Sequence, residues 1–166
     1  MAKKDTLVFS HWYHLNENLQ QSSQDFYASI EQAIKKRNLP DVRISRIDFK
    51  EGNVFSAQRE YLRVKRKELV FDICAAPFGN GFFISWWLGE KMGAFLSLLL
   101  VIPFLGSLVA KTSRPATYYR LDTTLMFQES VHLAVLEILD DVITAKGIRT
   151  LSEAERKPIM SDLFKR

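Results

Sequence analysis

Between Lys91 and Lys111 the chain runs nineteen residues, Met92 to Ala110, without a charged side chain, and eleven of them are Phe, Leu, Ile or Val. An α-helix needs roughly 20 apolar residues to cross a bilayer core. The run therefore forces a choice between a crossing, a one-sided insertion and a buried helix. A crossing has some energy behind it. Eleven strongly apolar residues contribute roughly −3 to −7 kcal/mol to insertion. Gly93, Ser97, Pro103, Gly106 and Ser107 erode that sum, and Lys91 and Lys111 are placed to snorkel to the two interfaces.

Sidedness argues against the crossing. Lys91 is the sole cation close on the N-terminal side, whereas Lys111, Arg114 and Arg120 follow on the other. Excess Lys and Arg stay on the cytoplasmic side. Residues 1–90 would then have to be translocated, and the start of the chain offers no apolar leader: Ser10, His11, His14, Asn16, Glu17 and Asn18 interrupt it. A crossing would also separate an expected strand at 117–127 from the other strands, leaving neither part enough sheet. Pro103-Phe104-Leu105-Gly106 offers another solution, bending the run into a short hairpin whose arms reach one leaflet and return. Phe95, Leu99, Ile102 and Phe104 would then meet lipid, with Trp86 and Trp87 at the interface just upstream. The third reading is a soluble domain that buries the run as a helix kinked at Pro103. The one-sided dip is the expectation adopted.

The remainder reads as an ordinary folded domain. With 166 residues, 47% of them hydrophobic and 25% charged, the chain can bury one sizeable core. Leu7 to Leu15 alternates as a strand, with Leu7, Phe9, Tyr13 and Leu15 on one face. Ser22 followed by Asp25 marks a helix start. Phe26, Ile30, Ala33 and Ile34 form its stripe, and it ends near Arg37, before Pro40. Strands are expected at Val42–Phe49, Tyr61–Arg66 and Leu69–Ala76, the last two joined at Lys67-Glu68, with Glu51-Gly52-Asn53 as a turn. Pro77 to Gly81 is the clearest turn, and Phe82–Leu88 follows as a short strand. Thr117–Phe127 alternates most regularly of all and reads as a strand. A helix from about Ser130 to Lys146 is expected to end at Gly147. Ser152 with Glu155 is a capping box for a short last helix, after which Ile159, Met160, Leu163 and Phe164 can dock. Strands clustered between helices imply an α+β fold: a mostly antiparallel sheet, two main helices and an inserted apolar helix or helical hairpin at 92–110, in a single domain over 1–166.

Reactive chemistry has few candidates. The single cysteine, Cys74, excludes an internal disulfide and fits a reducing compartment. A catalytic thiol needs a base, and the histidines are His11, His14 and His132. No local signature surrounds Cys74, and a small residue inside a strand is ordinarily core. His11 and His14 share a face on a helix but not on a strand. A zinc site would need further ligands, so no metal or cofactor is expected. Asp140 and Asp141 point about 100° apart on a helix and read as solvated charge, which places no acid–base pair there. Gly79-Asn80-Gly81 lacks the Lys and the spacing of a phosphate loop.

The densest basic group is Arg63, Lys65, Arg66 and Lys67, with Arg59 nearby. Such a group suits solvent, anionic headgroups or nucleic acid. A formal charge of only +4 and the absence of a named motif argue against nucleic acid. The sequence thus points to a small membrane-associated, non-catalytic adaptor or complex subunit on the cytoplasmic side, with lipid and a protein as partners. A cysteine-dependent enzyme using Cys74 and a histidine is the alternative, and a soluble nucleic-acid-binding domain ranks third.

Overall fold

The computed structural model describes residues 6–50, 58–91 and 117–161. The apolar run at 92–110, the turn at 51–53, and Leu163 and Phe164 lie outside the described residues. Six strands form one antiparallel sheet: β1 (Thr6–Asn16), β2 (Val42–Lys50), β3 (Gln58–Arg66), β4 (Leu69–Phe78), β5 (Gly81–Lys91) and the two-residue β6 (Ile159–Met160). Their spatial order is β2-β3-β4-β5-β1-β6. Helices α1 (Ser23–Lys36) and α2 (Tyr118–Ala145) pack on each other and on β4, and the short α3 (Glu153–Arg156) follows. The architecture is α+β, with the core between the sheet and the helix layer.

Local chemistry accounts for most boundaries. The Ser22 hydroxyl accepts from the Asp25 amide at 3.3 Å and caps α1, whose Phe26, Ile30, Ala33 and Ile34 are all buried. Tyr27, outside the expected stripe, is buried as well, and its hydroxyl accepts from the Ala75 amide (2.7 Å) and donates to the Glu60 carbonyl (2.9 Å). It serves backbone groups just past Leu62↔Ile73, where the β3–β4 ladder stops. The β3–β4 turn uses Lys67 at φ 53°, a left-handed position more often filled by Asn or Gly. At the end of α2, Gly147 adopts φ 67° and the amides of Gly147 and Ile148 reach back to Thr144 and Ile143, a Schellman closure. The capping box of Ser152 and Glu155 is complete.

Two expectations are corrected. Residues 117–127 are not a strand: Thr117 caps α2, which then continues unbroken for 28 residues. Tyr and Thr favour strands and the stretch alternates, but its buried positions, Thr124, Phe127, Gln128 and Val131, recur at three and four. The Thr123 and Thr124 hydroxyls bond back to the carbonyls of Tyr119 and Arg120, so helix satisfies them. The sheet therefore does not need this segment; β6 lies beside β1 instead. In β1 the register shifts between Val8 and Ser10. Phe9, at the shift, is buried, and beyond it Ser10, Trp12 and Asn16 are buried while Tyr13 and Leu15 are exposed. A single extra residue exchanges the two faces of a strand.

The core is aromatic and carries a buried polar chain through His132. Trp86 packs at a tilt against Phe71, with ring centroids 4.6 Å apart. Its indole N–H donates to His132 Nδ1 at 3.0 Å, and His132 Nε2 donates to the Arg156 carbonyl at 2.7 Å. Trp12 donates to the neighbouring Glu155 carbonyl at 2.7 Å. Arg156 in turn forks onto Asp140 (2.7 and 2.8 Å). The segment carrying α3 and β6 is thus held from beneath by both buried tryptophans.

Candidate functional site

The sheet register brings distant parts of the sequence to one end of the domain. The cross-strand row Val42–Arg66–Leu69–Glu90–Leu7 marks that end. One step in, on the face away from the helices, lies the row Arg43–Lys65–Val70–Gly89–Val8. Beyond the rows sit Asp41, the turn at Lys67-Glu68, and Lys91, whose amide donates to the Glu68 carbonyl at 2.9 Å. Helix α2 begins here too, because Arg120 in its first turn forms an ion pair with Glu90. Lys91 and Thr117, the residues that bound 92–116, therefore both belong to this end.

The surface chemistry of this end is distinctive. Tyr118 and Tyr119 are 87% and 83% exposed, and Leu7 and Val8 are about two-fifths exposed. Among the described residues, the cations Arg43, Lys65, Arg66, Lys67, Lys91 and Arg120 stand here with the carboxylates of Asp41, Glu68 and Glu90. The hairpin cations do not act as the single group that the sequence suggested. Arg63 lies deeper, forked onto Asp72 at 2.7 and 2.6 Å with its side chain only 17% exposed. Arg66 donates to the Pro40 carbonyl. Lys65 is exposed, and Lys67 stands 4.0 Å from an equally exposed Asp41, a separation at which attraction is weak in water.

Trp86, expected at a lipid interface, is fully buried, and its indole N–H is already bonded to His132. Trp87 is 46% exposed on the outer face and stacks on His11 with centroids 4.7 Å apart. Phe95, Leu99, Ile102 and Phe104 lie outside the described residues. No helix among the described residues is long and apolar enough to cross a membrane.

The cysteine and the histidines do not assemble. Cys74 is 1% exposed and points away from the helices, enclosed by Arg59, Tyr61 and Ser85. Burial pushes its thiol above the usual range, against the opposing pull of Arg59 and the hydrogen bonds of Tyr61, Arg59 and Ser85. That is the reverse of what a nucleophilic thiol needs. His11 pairs with Trp87, which pairs with Asp72, so β5 stands between it and Cys74. His14 has the parity of Trp12 and the helix side of the sheet. His132 is buried in the core with both ring nitrogens bonded. Burial holds His14 and His132 below the ordinary imidazole value, outweighing the opposing effects of Glu155 on one and of the Arg156 carbonyl on the other. No group of three or more His, Cys, Asp or Glu that could hold a metal ion occurs among the described residues.

Sequence reasoning located the basic hairpin but missed Arg43, Lys91 and the two tyrosines as its neighbours. The signal was present in the strand pairing: a two-residue turn at 67–68 fixes Lys65 opposite Val70, and the next hairpin carries that register to Gly89.

No family model matches the chain, and none of the curated proteins matches it. Among solved structures, the di-domain ARO/CYC StfQ from the steffimycin biosynthetic pathway is similar at 11% identity and a TM-score of 0.33. The similarity covers 87% of this chain and 54% of that one, so the chain spans about half the length of the structure it matches. A likeness at that level carries no functional argument.

Proposed function

We propose that this chain is a non-catalytic module that associates with a membrane on its cytoplasmic side and presents its sheet to a protein partner. The observation that carries the reading is the junction at Glu90, Arg120, Lys91 and Glu68. It ties the flanks of the apolar stretch to one end of a single folded body. Chain that leaves and re-enters at one end can reach a bilayer without dividing the domain between two compartments. The exposed tyrosines at that end support the same reading, since amphipathic rings favour the headgroup level. For the partner, the outer sheet face offers Trp87, His11 and Tyr13 side by side, with Tyr13 59% exposed. Aromatic residues in such a setting are the usual anchors of protein interfaces. The separation of Cys74 from all three histidines weighs against the enzyme reading.

Fractionation tests this function. The protein is expected in the membrane pool, and Leu99→Asp with Ile102→Asp is expected to release it while its circular dichroism is retained. Wild type found wholly in the soluble pool at low salt would overturn the proposal.

A further inference from the structure

The end that gathers the basic rows also gathers exposed tyrosines, and that combination favours one kind of surface. We infer that this end is an anionic-lipid docking site: Arg43, Lys65, Lys67 and Lys91 face acidic headgroups while Tyr118 and Tyr119 enter the interfacial layer. The inference rests on the membrane reading above and adds the lipid class. Sequence separation hid the site, since its parts come from β2, the β3–β4 turn, the end of β5 and the start of α2. The Glu90–Arg120 pair neutralises one carboxylate there, and Arg63, Arg66 and Asp72 are engaged with protein groups. Arg43 and Lys65 are direct cross-strand neighbours, both exposed on the outer face. Two like charges side by side repel, and Asp41, which lines the same shallow depression and stands 4.0 Å from Lys67, offsets only part of the positive charge of Arg43, Lys65 and Lys67. An acidic bilayer supplies a plane of such charge, and its attraction for basic residues is strong only within a Debye length of the surface. Tyr118 and Tyr119, at the start of α2 at the same end, are 87% and 83% exposed and free to enter the interfacial layer.

Co-sedimentation with vesicles of phosphatidylcholine alone, or mixed with phosphatidylserine, tests the inference on the full chain. Wild type is expected to bind the mixed vesicles more tightly at low salt, with the excess removed by high salt. Each basic residue near the surface contributes about fivefold in binding, or about 1 kcal/mol. Arg43→Gln, Lys65→Gln and Lys67→Gln together should weaken binding to mixed vesicles by about a hundredfold. All three side chains are solvent-facing, so the fold is expected to be kept, with circular dichroism as the check. Tyr118→Ser with Tyr119→Ser should instead weaken binding to both vesicle types alike. Equal binding of wild type to neutral and mixed vesicles would overturn the lipid class and leave the membrane reading standing. Binding to neither would overturn both. Undiminished binding of the triple variant to mixed vesicles would also overturn the inference, as would tighter salt-sensitive binding to double-stranded DNA than to mixed vesicles.

Discussion

Replacing His132 by Phe keeps a planar ring at the centre of the core and removes both of its nitrogens. Two protein groups lose their partners: the Trp86 indole N–H, which is fully buried, and the Arg156 carbonyl. Leaving a buried donor or acceptor unpaired costs about 1–3 kcal/mol. Arg156 is only half-buried, so water can reach its carbonyl, which places the expected loss at about 2–4 kcal/mol. For a chain of this size each kcal/mol moves Tm by about 2–4 °C. Thermal and urea denaturation followed by circular dichroism read this directly. The pH dependence supplies a second readout. The folded imidazole is held below its ordinary value of 6.5 by burial. Below 6.5 the unfolded chain takes a proton that the folded chain resists, so stability is complete above that pH and is lost as pH falls toward the folded value. One such group gives a slope of up to about 1.4 kcal/mol per pH unit. His14 is shifted in the same direction, so just below pH 6.5 the variant should keep the share from His14 and show a shallower slope. Wild-type stability in the variant at mildly alkaline pH, or an unchanged acid slope, would refute the argument.

Other expectations follow from close contacts and burial. Gly89→Ala would bring a methyl group within 2.8 Å of the Leu7 carbonyl oxygen. Backbone cannot yield cheaply there, and a loss of about 1–3 kcal/mol in denaturation is expected; wild-type stability would show that the β1–β5 register relaxes. Tyr27→Phe should cost about 1–3 kcal/mol by leaving the Ala75 amide unpaired, checked by urea titration. Cys74 should resist iodoacetamide in the native protein at neutral pH and react after unfolding, because its thiol is buried and its pKa raised. Stoichiometric native labelling, read by mass spectrometry, would return the enzyme alternative to consideration.

Most of the sheet was legible because its hairpins are local. The alternation of Leu62 and Val64, the turn at Lys67-Glu68 and the turn at Gly79-Asn80 specify three strands with little help from the rest of the chain. Helix caps were equally local: Ser22, Ser152 with Glu155, and Gly147 act within one turn of backbone. Two features depended on tertiary contacts. The first turns of α2 carry strand-forming residues and few buried positions, so nothing nearby distinguishes helix from strand. The choice is made by Arg120 on Glu90 and by Phe127 against Phe71. The face of β1 was set by a register shift against β5, and a strand read alone does not reveal such a shift. Of the candidate site, the hairpin cations were visible, but their division into ion-paired Arg63 and exposed Lys65 required the partner strand that supplies Asp72.

The two ends of the buried polar chain explain why the candidate site sits where it does. Several polar groups in the core are paired: Trp86 with His132, His132 with Arg156, Trp12 with Glu155, Ser10 with Gln128. His132 with Arg156 and Trp12 with Glu155 tie the late segment, residues 149–161, to α2 and β1, the other two join α2 to β5 and β1, and each would cost stability if broken. The opposite pattern holds at the end of the sheet beyond Leu69 and Glu90. There Arg43 faces Lys65 across the ladder, and Tyr118 and Tyr119 extend into solvent with no burial to stabilise them. Like charges in register and exposed large rings are both unfavourable for an isolated folded domain. Both occur at the end that also holds Lys91 and Thr117, which is where the proposed anionic surface would meet them together.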